Sequence, residues 1–206
     1  MKYRPILFSG AMVRALLADT KTQTRRILKP QPFNGRPDDE VHKQMIENGA
    51  LGQDESLTDL LNGAIDHGFI PEAKCPYGQP GDRLWVRETF AHHVQAIGSK
   101  HDEDGPFVYA ADGEFAKQYR LGNKWKPSIF MPRWASRITL EITNIRVERL
   151  QDISEEDARA EGCWALGDCE CTAKRQYQEL WESINGKGSW DANPWVWVVE
   201  FRRIKP

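Results

Sequence analysis

The chain has 206 residues, 40% of them hydrophobic and 28% charged, with a net charge of −2; that is enough for one substantial core and too ordinary a balance for global disorder. No stretch approaches the roughly 18–20 uninterrupted apolar residues of a membrane span, and the apolar run in MKYRPILFSG is too short for a signal peptide, so a cytoplasmic protein without a membrane partner is expected. The charge balance supplies no overall positive field to hold a long nucleic acid by counterion release, so any nucleic-acid contact has to be local.

PILFS reads as a brief strand ending at Ser9, a good helix N-cap. Met12, Val13, Leu16 and Leu17 then recur at helical spacing, which predicts a short amphipathic helix over 11–18 with Arg14 outside. KTQTRR, residues 21–26, leaves that helix as a turn or edge segment. With Lys29 it forms the most basic window, in which Lys21, Arg25, Arg26 and Lys29 meet no acid; a solvated corner and a phosphate-facing patch both fit it. Residues 30–80 hold much Pro, Gly, Asp and Asn and read as an insertion or lid outside the core, with a helix near 57–65.

GQPGDRLWVRETF brings a turn at Pro80 and Gly81 and then a strand over 83–87. Residues 91–126 are again loop-rich, with one strand at FVYAA. His92, His93 and His101 lie near Asp102, Glu103 and Asp104 without a diagnostic ligand spacing, and read as a solvated acidic loop rather than a metal site. RITLEITNIRVERL is the clearest β segment: Ile138, Leu140 and Ile142 share one face, while Ile145 and Val147 take the opposite parity. The slip at Thr143 and Asn144 predicts a bulge or sharp bend.

Ser154 and Asp157 fit a capping box and Gly162 a stop, so a two-turn helix follows. Tyr177, Leu180, Trp181 and Ile184 mark another helix, closed at Gly186. PWVWVVEF ends the pattern as a strand buried on both faces. The late tryptophans, Trp181, Trp190, Trp195 and Trp197, read mainly as core. Cys75, Cys163, Cys169 and Cys171 form no disulfide framework, and the C-x-C spacing departs from a zinc knuckle, so no metal is expected. The class is α+β, one domain over 1–206 built on a small, mostly antiparallel β-barrel with flanking short helices.

PILFS, the short helix, KTQTRR, GDRLWV, the long β segment running into LQDISEEDARAEG, and the final WVVEF together resemble the ASCH-domain family. The resemblance covers both ends and the middle of the chain; two long insertions, at about 31–75 and 91–126, lie outside it and are similar to those of phage and prophage members. It implies a PUA-like barrel. It also implies one of two activities: removal of the acetyl group from N4-acetylcytidine by a cofactor-free amidohydrolase, or non-catalytic binding of RNA or a modified nucleotide. The family's K-x-x-T residues fall on Lys21 and Thr24, and its helix glutamate falls on Glu161. Phe8, Ser9, Arg25, Arg26 and Glu88 are the candidate substrate contacts.

The chemistry stands on its own terms. Amide hydrolysis needs a nucleophile, a base for its proton and an acid for the leaving amine. A threonine hydroxyl is inert without a base in reach; desolvation and the neighbouring Arg25 and Arg26 favour a neutral Lys21 for that task. Glu161, at the end of its helix, is the candidate acid. Glu88, just past a strand, is the rival carboxylate, with a salt bridge to an arginine as its other reading. The expected partners are a modified nucleoside or single-stranded RNA.

Overall fold

The computed structural model describes residues 1–66, 74–96, 105–122, 124–163 and 172–205. In chain order the elements are β1 (Tyr3–Leu7), α1 (Gly10–Leu17), β2 (Gln23–Ile27), α2 (Asp38–Glu47), α3 (Leu57–Asp66), β3 (Arg83–Arg87), β4 (Phe90–His92), β5 (Phe107–Tyr109), α4 (Glu114–Tyr119), β6 (Thr139–Arg149), α5 (Glu155–Ala160), α6 (Ala173–Asn185) and β7 (Trp195–Ile204). The sequence reading set one domain over 1–206; the chain forms two compact units, both discontinuous. One comprises Met1–Thr22, Tyr77–Thr143 and Phe201–Pro206, the other Gln23–Pro76 and Asn144–Glu200. Among the described residues no helix is long and apolar enough to cross a membrane.

In the first unit β1 runs parallel to β3, from Tyr3 beside Arg83 to Leu7 beside Arg87. β3 pairs antiparallel with the start of β6, Leu84 beside Leu140. Period-two alternation puts Leu84, Val86, Leu140 and Ile142 into the core. Helix α1 begins as its sequence predicts, with the Ser9 hydroxyl accepting the Met12 N–H at 3.4 Å and Met12, Val13 and Leu16 buried. β4 and β5 form a separate antiparallel pair; β4 and α4 fall in a stretch expected to be loop.

In the second unit β2 pairs antiparallel with β7. Helices α5 and α6 supply Ala158, Tyr177 and Trp181 to a core shared with Leu150, Ile153, Trp190, Val196 and Val198. Ser154 caps α5 through the Asp157 N–H, and Gly186 closes α6 at φ 98, the left-handed geometry that glycine adopts without strain. Ile184, expected on the apolar stripe of α6, is exposed. Residues 31–66 do not lie outside the core: Val41, Leu51, Leu57 and Leu61 are buried, and the Asn62 side chain accepts from the Val147 N–H at 2.7 Å and donates to its carbonyl at 2.9 Å. The low apolar periodicity of α2 hid this, because Val41 is its single buried residue.

The long strands β6 and β7 join a five-stranded mixed sheet in the order β1–β3–β6–β7–β2, which replaces the closed barrel expected from sequence. One reason is legible at β1. Phe8 donates to Arg87 and Lys2 accepts from Arg83, so even-numbered residues of β1 face β3 and odd-numbered ones face the open edge. Pro5 stands on that edge without an N–H, the position where a strand tolerates proline and a further strand finds no donor. Where a bulge or bend was expected, β6 continues as one strand and its burial pattern changes: Leu140 and Ile142 are buried, Thr143 and Asn144 exposed, then Val147 and Glu148 buried.

Replacing Asn62 with alanine leaves the buried Val147 peptide without both side-chain partners. Urea unfolding of that variant is expected to show a loss of about 1–3 kcal/mol at an unchanged m-value.

Candidate active site

The KTQTRR segment is not a solvated corner. Lys21, Gln23, Thr24 and Arg25 are all buried. In the first unit the Lys21 amine lies 5.6 Å from the centroid of the Phe8 ring, close enough for a cation–π contact; Ser9 is occupied as the α1 cap. In the second unit the register of β2 sets Arg25 beside Val198 and Ile27 beside Val196, with Thr24 beside Val199 and Arg26 beside Trp197. Successive side chains alternate between faces. Arg25 therefore points to the face of Val196 and Val198, which α5 and α6 cover, and Thr24 to the opposite face. The Thr24 hydroxyl is fully buried and has no hydrogen-bond partner.

Arg25, expected as a surface phosphate contact, is instead wholly inside. Its Nε donates to Glu148 at 2.9 Å, one terminal nitrogen donates to Glu148 and to Asp157 at 2.8 Å, and the other lies 3.5 Å from Glu161. A guanidinium cannot shed its proton, so burying it requires carboxylates. Burial works against the Arg25 charge, but Glu161 and Glu148 hold its pKa above the ordinary arginine value. Arg146 extends the network to Glu148 at 3.1 Å and Asp157 at 3.0 Å, and also binds Glu200. Burial tends to raise the Asp157 carboxyl, yet Gln23, Arg25 and Arg146 together keep it below the usual carboxylate range.

Glu161 terminates α5 as its C-cap and is buried. The Tyr177 ring lies 5.9 Å from the Arg25 guanidinium; burial, reinforced by the Glu161 charge, pushes its hydroxyl well above the ordinary tyrosine range, which keeps it a neutral phenol. Glu148 and Asp157 are the members of this cluster that sequence reasoning did not assign to the site. Asp157 reads there only as a capping residue, and Glu148 reads as a surface charge unless the phase change in β6 is carried through to its end.

Glu88 takes its alternative reading. It is buried in the first unit and bound by the fork of Arg137, Nε to Oε1 at 2.9 Å and Nη2 to Oε2 at 3.0 Å; the same guanidinium holds Asp112 at 2.7 and 3.0 Å. Burial raises the Glu88 carboxyl above its ordinary value, against the pull of Arg137. Phe8, Ser9, Lys21 and Glu88 thus belong to one unit, and Thr24, Arg25, Arg26 and Glu161 to the other. Among the described residues no group of three or more His, Cys, Asp or Glu side chains is arranged to hold a metal; His101, Cys169 and Cys171 lie outside them. Trp181, Trp190, Trp195 and Trp197 are buried, which fits core packing.

Two measurements check these electrostatics. Arg25→Met strands the Glu148, Asp157 and Glu161 carboxylates, and is expected to cost about 3–5 kcal/mol in urea unfolding, with Arg25→Lys between it and the native chain because lysine keeps the charge and loses the fork. For Glu88 the folded pKa is raised. The folded state therefore takes up its proton first, and stability rises as the pH falls from the folded pKa toward the unfolded value of about 4.3. Glu88→Gln should lack that rise when unfolding midpoints are compared across the same pH series.

No family model, no curated protein and no solved structure matches the chain.

Proposed function

We propose that the protein is an amidohydrolase of the PUA-like, ASCH type that removes an acyl group from a pyrimidine nucleoside such as N4-acetylcytidine, with Lys21, Thr24 and Glu161 as its working groups. The observation that carries the reading is the buried Thr24 hydroxyl without a hydrogen-bond partner. Leaving such a group unmade costs roughly 1–3 kcal/mol, and a catalytic role is one of the explanations for such an exception. Lys21, the other half of K-x-x-T, is buried as well.

In this reading Thr24 attacks the acyl carbonyl carbon as its proton passes to the Lys21 amine. The Lys21 ammonium so formed passes that proton, by way of the Glu161 carboxylate, to the leaving exocyclic nitrogen, and water then releases the acyl group from the threonine oxygen as a carboxylate. The non-catalytic alternative, a reader that grips a nucleotide phosphate with Arg25 and Arg26, loses its first arginine to Glu148, Asp157 and Glu161.

Incubation of the pure protein with N4-acetylcytidine, followed by mass spectrometry, is expected to show loss of the acetyl group. Lys21→Ala and Thr24→Ala should each lower kcat/KM at least about a hundredfold. Glu161→Gln separates its two roles: a proton donor loses activity with the fold intact, whereas a mere partner of Arg25 loses stability and keeps its rate per folded molecule. Full activity in the Lys21 and Thr24 variants, or no hydrolysis by the native chain, removes the hydrolase reading.

A further inference from the structure

The short helix α4 presents its large side chains the wrong way round for a helix that serves a core. Ala116 is its buried residue, while Phe115 is 66% and Tyr119 37% exposed. These two rings touch at 4.6 Å, and Tyr119 stacks on His93 of the neighbouring strand segment, 5.2 Å between centroids and 13° from parallel. The result is a row of three ring systems on one surface. Large apolar groups held together in water are the informative exception at a protein surface.

The segment that carries the row is basic. From Phe107 to Leu140 the sequence carries six cations and two acids, in a chain whose net charge is −2. The two acids are taken up locally, Asp112 by Arg137 and Glu114 by Lys117. Arg120 and Lys124 add positive charge that the segment does not offset. Arg120 sits directly after Tyr119, its backbone bridged to His93 and its guanidinium 5.0 Å from the Trp125 ring, which fixes the cation beside the exposed rings.

We infer that this face of α4 binds a single-stranded polynucleotide, its bases stacking on Phe115 and Tyr119 and its phosphates meeting Arg120 and Lys124. Exposed rings accept any unpaired base, since every base has a π-face. A duplex hides those faces in its own stack. The surface lies in the first unit, away from Thr24, Arg25 and Glu161 in the chain, and is independent of the hydrolase reading; a polynucleotide held here requires no acyl group.

Fluorescence anisotropy of the full chain with a short labelled oligouridine tests it, because that probe carries nothing to hydrolyse. Binding is expected at about 50 mM salt, with log K falling against log salt at a slope on the order of −1 to −2, as for two phosphate contacts. Phe115→Ala with Tyr119→Ala should weaken Kd at least about tenfold. Arg120→Gln with Lys124→Gln should flatten the salt dependence. All four side chains lie at or near the surface of the helix and the turn after it, so far-ultraviolet circular dichroism should be unchanged. No binding at low salt, native affinity in the double aromatic variant, or equal affinity for a duplex of the same length overturns the inference. So does self-association of the chain that the aromatic variant abolishes while oligouridine goes unbound, which would make the face a contact between copies.

Discussion

A buried guanidinium organises the second unit. Arg25 stands on β2, where the apolar core of Val196, Val198 and Tyr177 would otherwise continue, and its charge persists at any accessible pH. The chain answers with carboxylates from two other elements, Glu148 from β6 and Asp157 and Glu161 from α5. Because the fork has fixed geometry, satisfying it sets the position of α5 against the strand to within hydrogen-bond tolerance. The short helix α5 would hold little orientation by its own propensity; its cap at Ser154 and its carboxylates on Arg25 supply that orientation.

The first unit repeats the device with a different outcome. Glu88 and Arg137 form a two-point pair with one side buried and the other shared with Asp112. In the second unit a cation is buried and acids are gathered round it; here an acid is buried and the cation reaches outward. The directions of the titrations follow, with Glu88 raised by burial and Asp157 lowered by its basic neighbours. Thr24, by contrast, lies on β2 next to the most fully compensated side chain of the unit and is left without a partner of its own.

Local signals were legible where local physics decides. The Ser9 and Ser154 caps, the stop at Gly186 and the phase slip in β6 depend on side chains within a few residues of one another, and each is present. The helices α2 and α4 were not legible, because each buries one residue and shows too little apolar periodicity to stand out from loop. The same holds for β4, whose three residues are shorter than any reliable alternation. At the site, K-x-x-T was visible as a motif, but Glu148 and Asp157 were not, since nothing in their own neighbourhoods announces a cation from a distant strand.

The sequence by itself determined an α+β chain with strands at both ends, a long strand in the middle and short capped helices, because periodicity, caps and residue type act over one or two turns of chain; Lys21, Thr24 and Glu161 were singled out by the resemblance, not by those signals. Only the tertiary structure decided that the strands lie in an open mixed sheet, that residues 31–66 bring buried leucines to a core, and that Arg25 faces inward. Each of these depends on pairing between residues far apart in the chain. The direction in which a strand residue points is set by the register its partner strand imposes, and a basic run reads as surface until that register turns every second member toward the core.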